Sequence, residues 1–175
     1  MDNKRQPFWL GHANIIEYCN RPFSNINEMN EEMIKRWNSI VKKDDKVWHL
    51  GDFIFGKKDV AAEIISRLNG NIYLIKGNHD HMKNQWYRDA GVKEVYDHPI
   101  IIKDFIVLSH APQPFICDSR TPYVNFFGHI HDSKMFETYG PRHFCACVER
   151  HNYKPVNIEE VIKYFQKKEK NNESI

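Results

Sequence analysis

Several features are scarce or missing in this sequence of 175 residues, and each absence excludes a class of protein. No apolar run approaches the roughly 18 residues needed to cross a bilayer, which predicts no membrane partner. The four cysteines form no Cys-x-x-Cys pair, so a zinc ribbon and a dithiol redox motif are excluded. A net charge of +2 lacks the excess of Lys and Arg that nucleic-acid binding needs, so nucleic acid enters only as a substrate.

The N-terminal segment lacks an apolar signal core, and four cysteines without a disulfide pattern fit reduced thiols. Both features predict a cytoplasmic protein. The length and the mean hydropathy of −0.65 predict one globular domain over residues 1–175. Within it, residues 1–10 are atypical and residues 168–175 form a charged, flexible tail.

The spacing of apolar residues alternates between helical and strand-like periods, which predicts an α/β fold. Helices are expected at residues 12–19, 25–42, 58–69, 82–91 and 157–168. Strands are expected at residues 46–50, 71–75, 95–102, 105–109, 123–127 and 143–149. Four of the strands end in polar clusters of Gly, Asp, Asn and His. Since α/β sheets place ligands beyond the carboxyl ends of their strands, we expect these four loops to converge on one rim.

Ten histidines are an unusual number for this length, and the four clusters contain several of them. Each cluster taken alone also fits an ordinary turn, so the signal lies in their ordered combination. In chain order they are Gly51-Asp52, Gly77-Asn78-His79-Asp80, Ser109-His110 and Gly128-His129-Ile130-His131.

The clusters supply the ligand types of a hydrolytic metal centre. They offer the carboxylate of Asp52, the amide oxygen of Asn78 and the imidazoles of His110, His129 and His131. Nitrogen and oxygen donors without thiolate suit manganese, iron, nickel or zinc. A carboxylate that bridges two cations about 3.5–4 Å apart can align an activated hydroxide with a phosphoryl group.

One histidine of the clusters is left over from ligation. His79 is placed to donate a proton to the departing alkoxide, and Asp80 is a candidate to orient its ring.

The four clusters, in this order, resemble four of the five motifs of the calcineurin-like metallophosphoesterases. The segments Gly11–Ile16 and Asn20–Phe23 resemble the small bacterial and phage branch of that superfamily. The resemblance implies a sandwich of two mixed β-sheets flanked by helices, with two metal ions at the strand ends. It also implies hydrolysis of a phosphate mono- or diester by a metal-held hydroxide, with a small phosphate ester or a nucleotide as substrate.

The same resemblance assigns roles to individual residues. Asp52 would bridge the metals, and manganese is the expected metal, with iron, nickel or zinc as alternatives. Asn78, His110 and His129 would complete one metal position, His131 would serve the other, and His79 would be the catalytic acid.

The N-terminus departs from the family pattern, which opens with an apolar strand ending in Asp-x-His. Pro7 and Trp9 stand at the positions of those two ligands, and residues 1–6 are polar. We therefore expect the first strand to be missing or degenerate, and one metal to bind unless His12 or water completes the second position. With one metal, activity is expected to be weak or absent.

Several alternatives remain open. The N-terminus fits a frameshift, a natural single-metal enzyme, or a degenerate copy that binds phosphate, nucleotide or a partner protein without hydrolysis. His12 fits a contact with phosphate or metal as well as a structural hydrogen bond. Arg21 is a candidate phosphate ligand because its planar guanidinium matches phosphate oxygens, although it also fits a packing role.

Overall fold

The computed structural model of the chain describes residues 3–5, 14–114, 124–133, 140 and 142–172, with the backbone alone described for 3–5 and 168–172. Its strands are β1 (Asn3–Arg5), β2 (Lys46–His49), β3 (Asn71–Ile75), β4 (Glu94–Tyr96), β5 (Ile100–Ile102), β6 (Ile106–Ser109), β7 (Val124–Phe127), β8 (His143–Cys145) and β9 (Val156–Asn157). Its α-helices are α1 (Asn14–Tyr18), α2 (Ile26–Ile40), α3 (Lys58–Arg67), α4 (Asn84–Asp89) and α5 (Ile158–Asn172). None of the helices in these ranges is long and apolar enough to cross a bilayer.

The strands form two sheets, and each sheet is mixed. The larger sheet has the order β4-β3-β2-β1-β9, in which β1 to β4 run parallel and β9 pairs antiparallel with β1. The smaller sheet has the order β5-β6-β7-β8, in which β6, β7 and β8 run parallel and β5 is antiparallel. The prediction of two mixed sheets flanked by helices is therefore confirmed.

Alternate residues of the larger sheet serve two apolar clusters, as the two-residue period of a strand requires. Val47 and Leu74 pack with the buried faces of the helices α1 to α4. Trp48 and Ile75 point the other way and pack with β6, β7 and the buried face of α5. The second cluster joins the two sheets, and it fixes the ends of β2 and β3 next to those of β6 and β7.

Helix α2 shows how the sequence builds the apolar cluster on the helix-covered face of the larger sheet. Its residues Met29, Met33 and Trp37 recur at intervals of four and are fully buried. At its N-terminus the Asn25 side chain accepts a hydrogen bond from the backbone N–H of Glu28, at 3.0 Å. Such a cap contributes about 1 kcal/mol to stability.

The first strand was expected to be missing or degenerate, and the first of these alternatives is wrong, whereas the second fits its three polar residues. Asn3–Arg5 form β1, which lies inside the larger sheet between β2 and β9, with Asn3 opposite Lys46 and Arg5 opposite Trp48. The physical reason is that backbone N–H and C=O groups make the ladder, so a polar segment also pairs.

Two other strand boundaries differ from the prediction. Residues 95–102 were expected to form one strand, whereas β4 ends at Tyr96 in the larger sheet and β5 begins at Ile100 in the smaller one. Between them, Pro99 has no backbone N–H to donate to a ladder, which favours a break. The late strand expected at 143–149 ends at Cys145, and a 3₁₀ helix follows at Val148–His151.

The last helix is longer than expected. Helix α5 runs to Asn172, past the predicted end at residue 168. The flexibility expected for residues 168–175 stays a prediction.

Candidate metal centre

The loops that follow β2, β3, β6 and β7 meet at one place, as the sequence predicts. His110 Nε2, after β6, lies 3.1 Å from Asp52 Oδ2, which follows β2. The same nitrogen lies 2.9 Å from Asn78 Oδ1, after β3, and 3.0 Å from His129 Nδ1, after β7. Two loops from each sheet thus build one group, the Asp52 cluster, which consists of Asp52, Asn78, His110 and His129.

The orientation of the His110 ring is fixed by a contact of its other ring nitrogen, Nδ1. Its Nδ1 atom lies 2.8 Å from the backbone carbonyl oxygen of Leu50. A carbonyl oxygen only accepts hydrogen bonds, so Nδ1 carries the proton and Nε2 of the neutral ring presents a lone pair. That lone pair faces the oxygens of Asp52 and Asn78 and a nitrogen of His129. A single proton on Nε2 could bond to one of these three neighbours at a time.

Asp52 presents a second unsatisfied lone pair to the same space. Its Oδ1 atom accepts a hydrogen bond from the backbone N–H of His79, at 2.8 Å. Its Oδ2 atom is buried and receives no hydrogen bond of good geometry from the described residues, despite the nearby His110 nitrogen. A buried, unsatisfied carboxylate oxygen is costly and calls for a cation.

The donor set fits a divalent metal ion. Ligand atoms of Asp52, His110 and His129 lie within 4.8 Å of one another, and Asn78 adds an amide oxygen. Two oxygens and two nitrogens suit a first-row metal such as manganese, iron or zinc. Asp52 and His110 are buried whereas Asn78 and His129 are exposed, so the cluster opens to solvent on one side.

Backbone strain is concentrated at the same loops. Asp52, His129 and His131 have left-handed φ angles of 52°, 69° and 50°. Such conformations cost residues other than glycine about 1–3 kcal/mol and persist where the surroundings enforce them, often at functional sites. Three of the predicted ligands are therefore held in conformations that an unconstrained loop would avoid.

The ionisable side chains of the Asp52 cluster shift one another's pKa values. Burial raises the pKa of Asp52, but the His110 imidazole, whose Nε2 atom lies 3.1 Å from Oδ2, outweighs it and leaves that pKa below its usual value. Burial lowers the pKa of His110, but Asp52 outweighs it and leaves that pKa raised. Burial and the charge of His110 both lower the pKa of His129. His129 is thus neutral at neutral pH, as metal ligation requires.

Asp80 joins two of the site loops. Its carboxylate accepts hydrogen bonds from the backbone N–H groups of Asp52 (2.6 Å), Gly77 (2.8 Å) and Phe53 (3.1 Å), and from the Tyr87 hydroxyl (3.1 Å). Burial, its largest influence, raises the pKa of Asp80. These bonds make Asp80 a clamp between the loops after β2 and β3, and its expected role in orienting the His79 ring stays a prediction.

His79 lies at the edge of the Asp52 cluster. Its backbone N–H binds Asp52, and its half-buried ring meets the rings of Phe55 and His81 edge to face, at centroid distances of 6.0 and 6.2 Å. The side chain is therefore at the site and reachable from solvent. Its role as a catalytic acid stays a prediction.

His131 contacts a neighbouring pair of charged residues, Glu149 and Arg21. Its Nδ1 atom lies 3.0 Å from Glu149 Oε1, and the Arg21 guanidinium donates to that same oxygen at 2.6 and 3.1 Å. Burial raises the pKa of Glu149, but His131 and Arg21 outweigh it and lower that pKa to about 2, so the carboxylate is ionised. The metal-binding role of His131 stays a prediction.

The surroundings of Arg21 favour one of its two expected roles. Its side chain is fully buried, and its Nη1 atom also approaches the sulfur of Met29 at 3.3 Å. The guanidinium therefore holds Glu149 against His131, while phosphate binding by Arg21 stays a prediction. His12, Pro7 and Trp9, which the sequence places near the site, lie outside the described residues.

Three supporting groups were missed from the sequence. Glu149 and the Leu50 carbonyl carry no motif that could have marked them. Asn125 did carry a signal, since it is the one polar residue of the apolar strand β7. It is fully buried, donates to Ser109 Oγ at 2.8 Å and accepts from Gln113 N–H at 2.9 Å, which fixes the loop that carries His110.

A test of this close packing is the Gly51→Ala variant. Gly51 has a φ of +92°, and a Cβ atom there would lie 2.5 Å from both His110 Nδ1 and Gly77 N. We expect the variant to displace His110 and to lose metal binding, in addition to a strain of about 1–2 kcal/mol from the left-handed φ. Metal titration and thermal unfolding measure the two effects.

The matched control is Gly91→Ala. Gly91 has a similar φ of +112°, but its Cβ would meet only Ile65 Cγ2, at an ordinary 3.7 Å. Gly91→Ala should lower the thermal stability by the same strain and keep the metal affinity of the wild type. Equal metal affinity in both variants would contradict the described position of Gly51 against His110.

Comparisons with known proteins find a relative over most of the chain and a solved structure with the same fold. No family model matches the chain. The chain is 36% identical over 166 residues to the uncharacterized protein MJ1445 of Methanocaldococcus jannaschii, an alignment that covers 90% of this chain and 87% of that protein. It is also 39% identical over 74 residues to the gene 66 protein of Mycobacterium phage L5, covering 41% of this chain and 35% of that protein.

Among solved structures, the chain resembles the protein of unknown function AQ665 from Aquifex aeolicus. The TM-score is 0.70 at 24% identity, over 93% of this chain and all of that chain, which shows a shared fold. A weaker match, with a TM-score of 0.45 at 22% identity, is to the Pseudomonas putida nuclease MPE, over 65% of this chain and 57% of that one.

Proposed function

The chain belongs to the same family as MJ1445 of Methanocaldococcus jannaschii, and we propose that it is a metal-dependent phosphoesterase of the calcineurin-like fold. The substrate we propose is a small phosphate mono- or diester or a nucleotide, with nucleic acid entering only as a substrate. The proposed metal is manganese.

One observation carries this proposal. Asp52 Oδ2, Asn78 Oδ1 and His129 Nδ1 each lie about one hydrogen-bond length from His110 Nε2. Donor atoms that converge in this way need a shared cation, which is either the proton that Asp52 favours on His110 or a metal ion in its place. A divalent cation bound there would acidify a water molecule and neutralise charge on a phosphoryl oxygen.

The protein residues supply the remaining parts of the chemistry. Asp52 is buried in the site, and its Oδ1 atom accepts a hydrogen bond from the backbone N–H of His79. This bond restricts rotation of the carboxylate. The Leu50 carbonyl holds the Nδ1 proton of His110, so that Nε2 is the nitrogen that would bind a metal once its own proton is displaced. The exposure of Asn78 and His129 lets a phosphate ester approach from solvent.

His79 is the proposed general acid. Its backbone N–H binds Asp52 Oδ1 and its ring is half-buried, which supports a role for the side chain at the edge of the Asp52 cluster. A proton given to the alkoxide at the moment of P–O cleavage accelerates such reactions by about 10²–10⁴.

Turnover with defined metals tests the proposal. The purified protein should hydrolyse an aryl phosphodiester or an aryl phosphate monoester after loading with Mn²⁺, and EDTA should stop the reaction. The relative rates of the two substrates distinguish a diesterase from a monoesterase. Retained metal binding without turnover of either ester would contradict the enzyme proposal and favour a binding module of the same fold.

A further inference from the structure

An exposed aromatic ring lies beside the Asp52 cluster. The loop after β2 carries three large apolar residues in a row, Phe53, Ile54 and Phe55. The first two are buried in the apolar cluster on the helix-covered face of the larger sheet, whereas Phe55 is 41% exposed. A single exposed apolar side chain is ordinary on a protein surface. The position of this one, next to the proposed catalytic acid, gives it a further meaning.

The ring of Phe55 forms one side of the opening of the site. It meets the His79 ring edge to face, at a centroid distance of 6.0 Å, and the His79 backbone N–H binds Asp52 Oδ1. Phe55 follows Asp52 by three residues, so the chain between them spans at most about 10 Å. A nucleotide, whose base and phosphate are joined through one ribose, has about this length.

The residues that follow Phe55 add positive charge on the same loop. Lys57 and Lys58 are both exposed, and the exposed Asp59 offsets one of the two charges. A net positive charge remains, which attracts an anionic phosphate ester to this side of the site. Positive charge together with an aromatic face is the combination by which proteins bind nucleotide units without reading their sequence.

We propose that Phe55 stacks on the base of the substrate, and that the substrate of this site is a nucleotide. The inference rests on the proposed function, because the phosphate is held at the Asp52 cluster. Every base has a π-face, so stacking on Phe55 selects nucleotides over sugar phosphates and does not distinguish one base from another. The other role that the contacts allow is support of the His79 ring. A ligand that carries a phosphate but no base separates the two roles.

Binding of two matched ligands to the full chain loaded with Mn²⁺ tests the inference. One is the methylenephosphonate isostere of adenosine monophosphate, and the other is the same phosphonate of methyl riboside. They differ only in the base, and neither has a P–O bond to the ribose that hydrolysis can break. The wild type should bind the adenosine phosphonate about 5–150-fold more tightly in titration calorimetry.

Substitutions of Phe55 should change this preference alone. Phe55→Ala should lose most of the preference and keep the wild-type affinity for the riboside phosphonate. Phe55→Leu keeps apolar bulk without a π-face and should also lose the preference, whereas Phe55→Trp should retain it. Tyr164→Ala is the matched control, since it removes an exposed aromatic ring on α5, outside the site loops, and should bind both ligands as the wild type does.

Three results would overturn the inference. They are equal affinities of the wild type for the two phosphonates, a preference that survives in Phe55→Ala, and an equal loss of affinity for both ligands in that variant, which would assign Phe55 to the support of His79. Because binding needs no turnover, a wild type that prefers the adenosine phosphonate but hydrolyses no phosphate ester would count against the proposed function alone. Hydrolysis without any preference for the base would count against this inference alone.

Discussion

Asp52→Asn is expected to abolish both metal-dependent hydrolysis and the stabilisation that a bound metal gives. The substitution keeps the shape of the side chain but removes the negative charge that lies 3.1 Å from His110 Nε2 on the floor of the site. A metal that binds only the folded protein stabilises it by about 2.7 kcal/mol at a concentration 100 times its dissociation constant. The wild type should show this gain in thermal unfolding on addition of Mn²⁺, and the variant should show none.

Asp44→Asn is the matched control. Asp44 is exposed in the turn between α2 and β2, so the variant removes one negative charge away from the site. It should retain both the stabilisation by Mn²⁺ and the turnover. An equal loss in both variants would mean that general electrostatic attraction, and not ligation by Asp52, holds the metal.

His79→Gln is expected to lower kcat by about 10²–10⁴ with little change in metal content. Glutamine keeps a polar side chain and the backbone N–H that binds Asp52 Oδ1, so the Asp52 cluster should remain intact. Steady-state kinetics and metal analysis of the same preparation separate the two effects. A substrate with a very acidic leaving group, which needs no protonation, should recover most of the rate.

His98→Gln serves as the control for that variant. His98 is exposed between β4 and β5, outside the site loops. Its kcat should equal that of the wild type. If His79→Gln also loses its metal, or if the acidic leaving group gives no recovery, His79 supports the site and does not act as the acid.

Local patterns in the sequence identified the Asp52 cluster because its ligands lie directly at strand ends. Gly51 and Gly77 mark the places where two backbones approach closely, and the histidines follow within one or two residues of apolar strands. Parallel strands bring their carboxyl ends to one edge of a sheet, which predicts that Asp52 lies near Asn78 and that His110 lies near His129. The meeting of these two pairs across the two sheets was predicted by the family resemblance.

The groups that support the site could not be found in this way, because their partners are far apart in the chain. Arg21 meets Glu149 across 128 residues, and Asp80 binds the backbone around Asp52 across 28. A buried ion pair or a clamp of backbone bonds depends on tertiary packing, which no local period encodes. The sequence left open whether the polar first strand is missing or degenerate for a related reason, since backbone pairing leaves no trace in side-chain type.

The most direct test of the central claim is a crystal of the full chain soaked with Mn²⁺, with diffraction data collected at a wavelength where manganese scatters anomalously. We predict an anomalous peak within coordinating distance of Asp52 Oδ2, Asn78 Oδ1, His110 Nε2 and His129 Nδ1, and no such peak in Asp52→Asn. A peak that lies elsewhere, or one that is unchanged in the variant, would contradict the assignment of these four residues as the metal site.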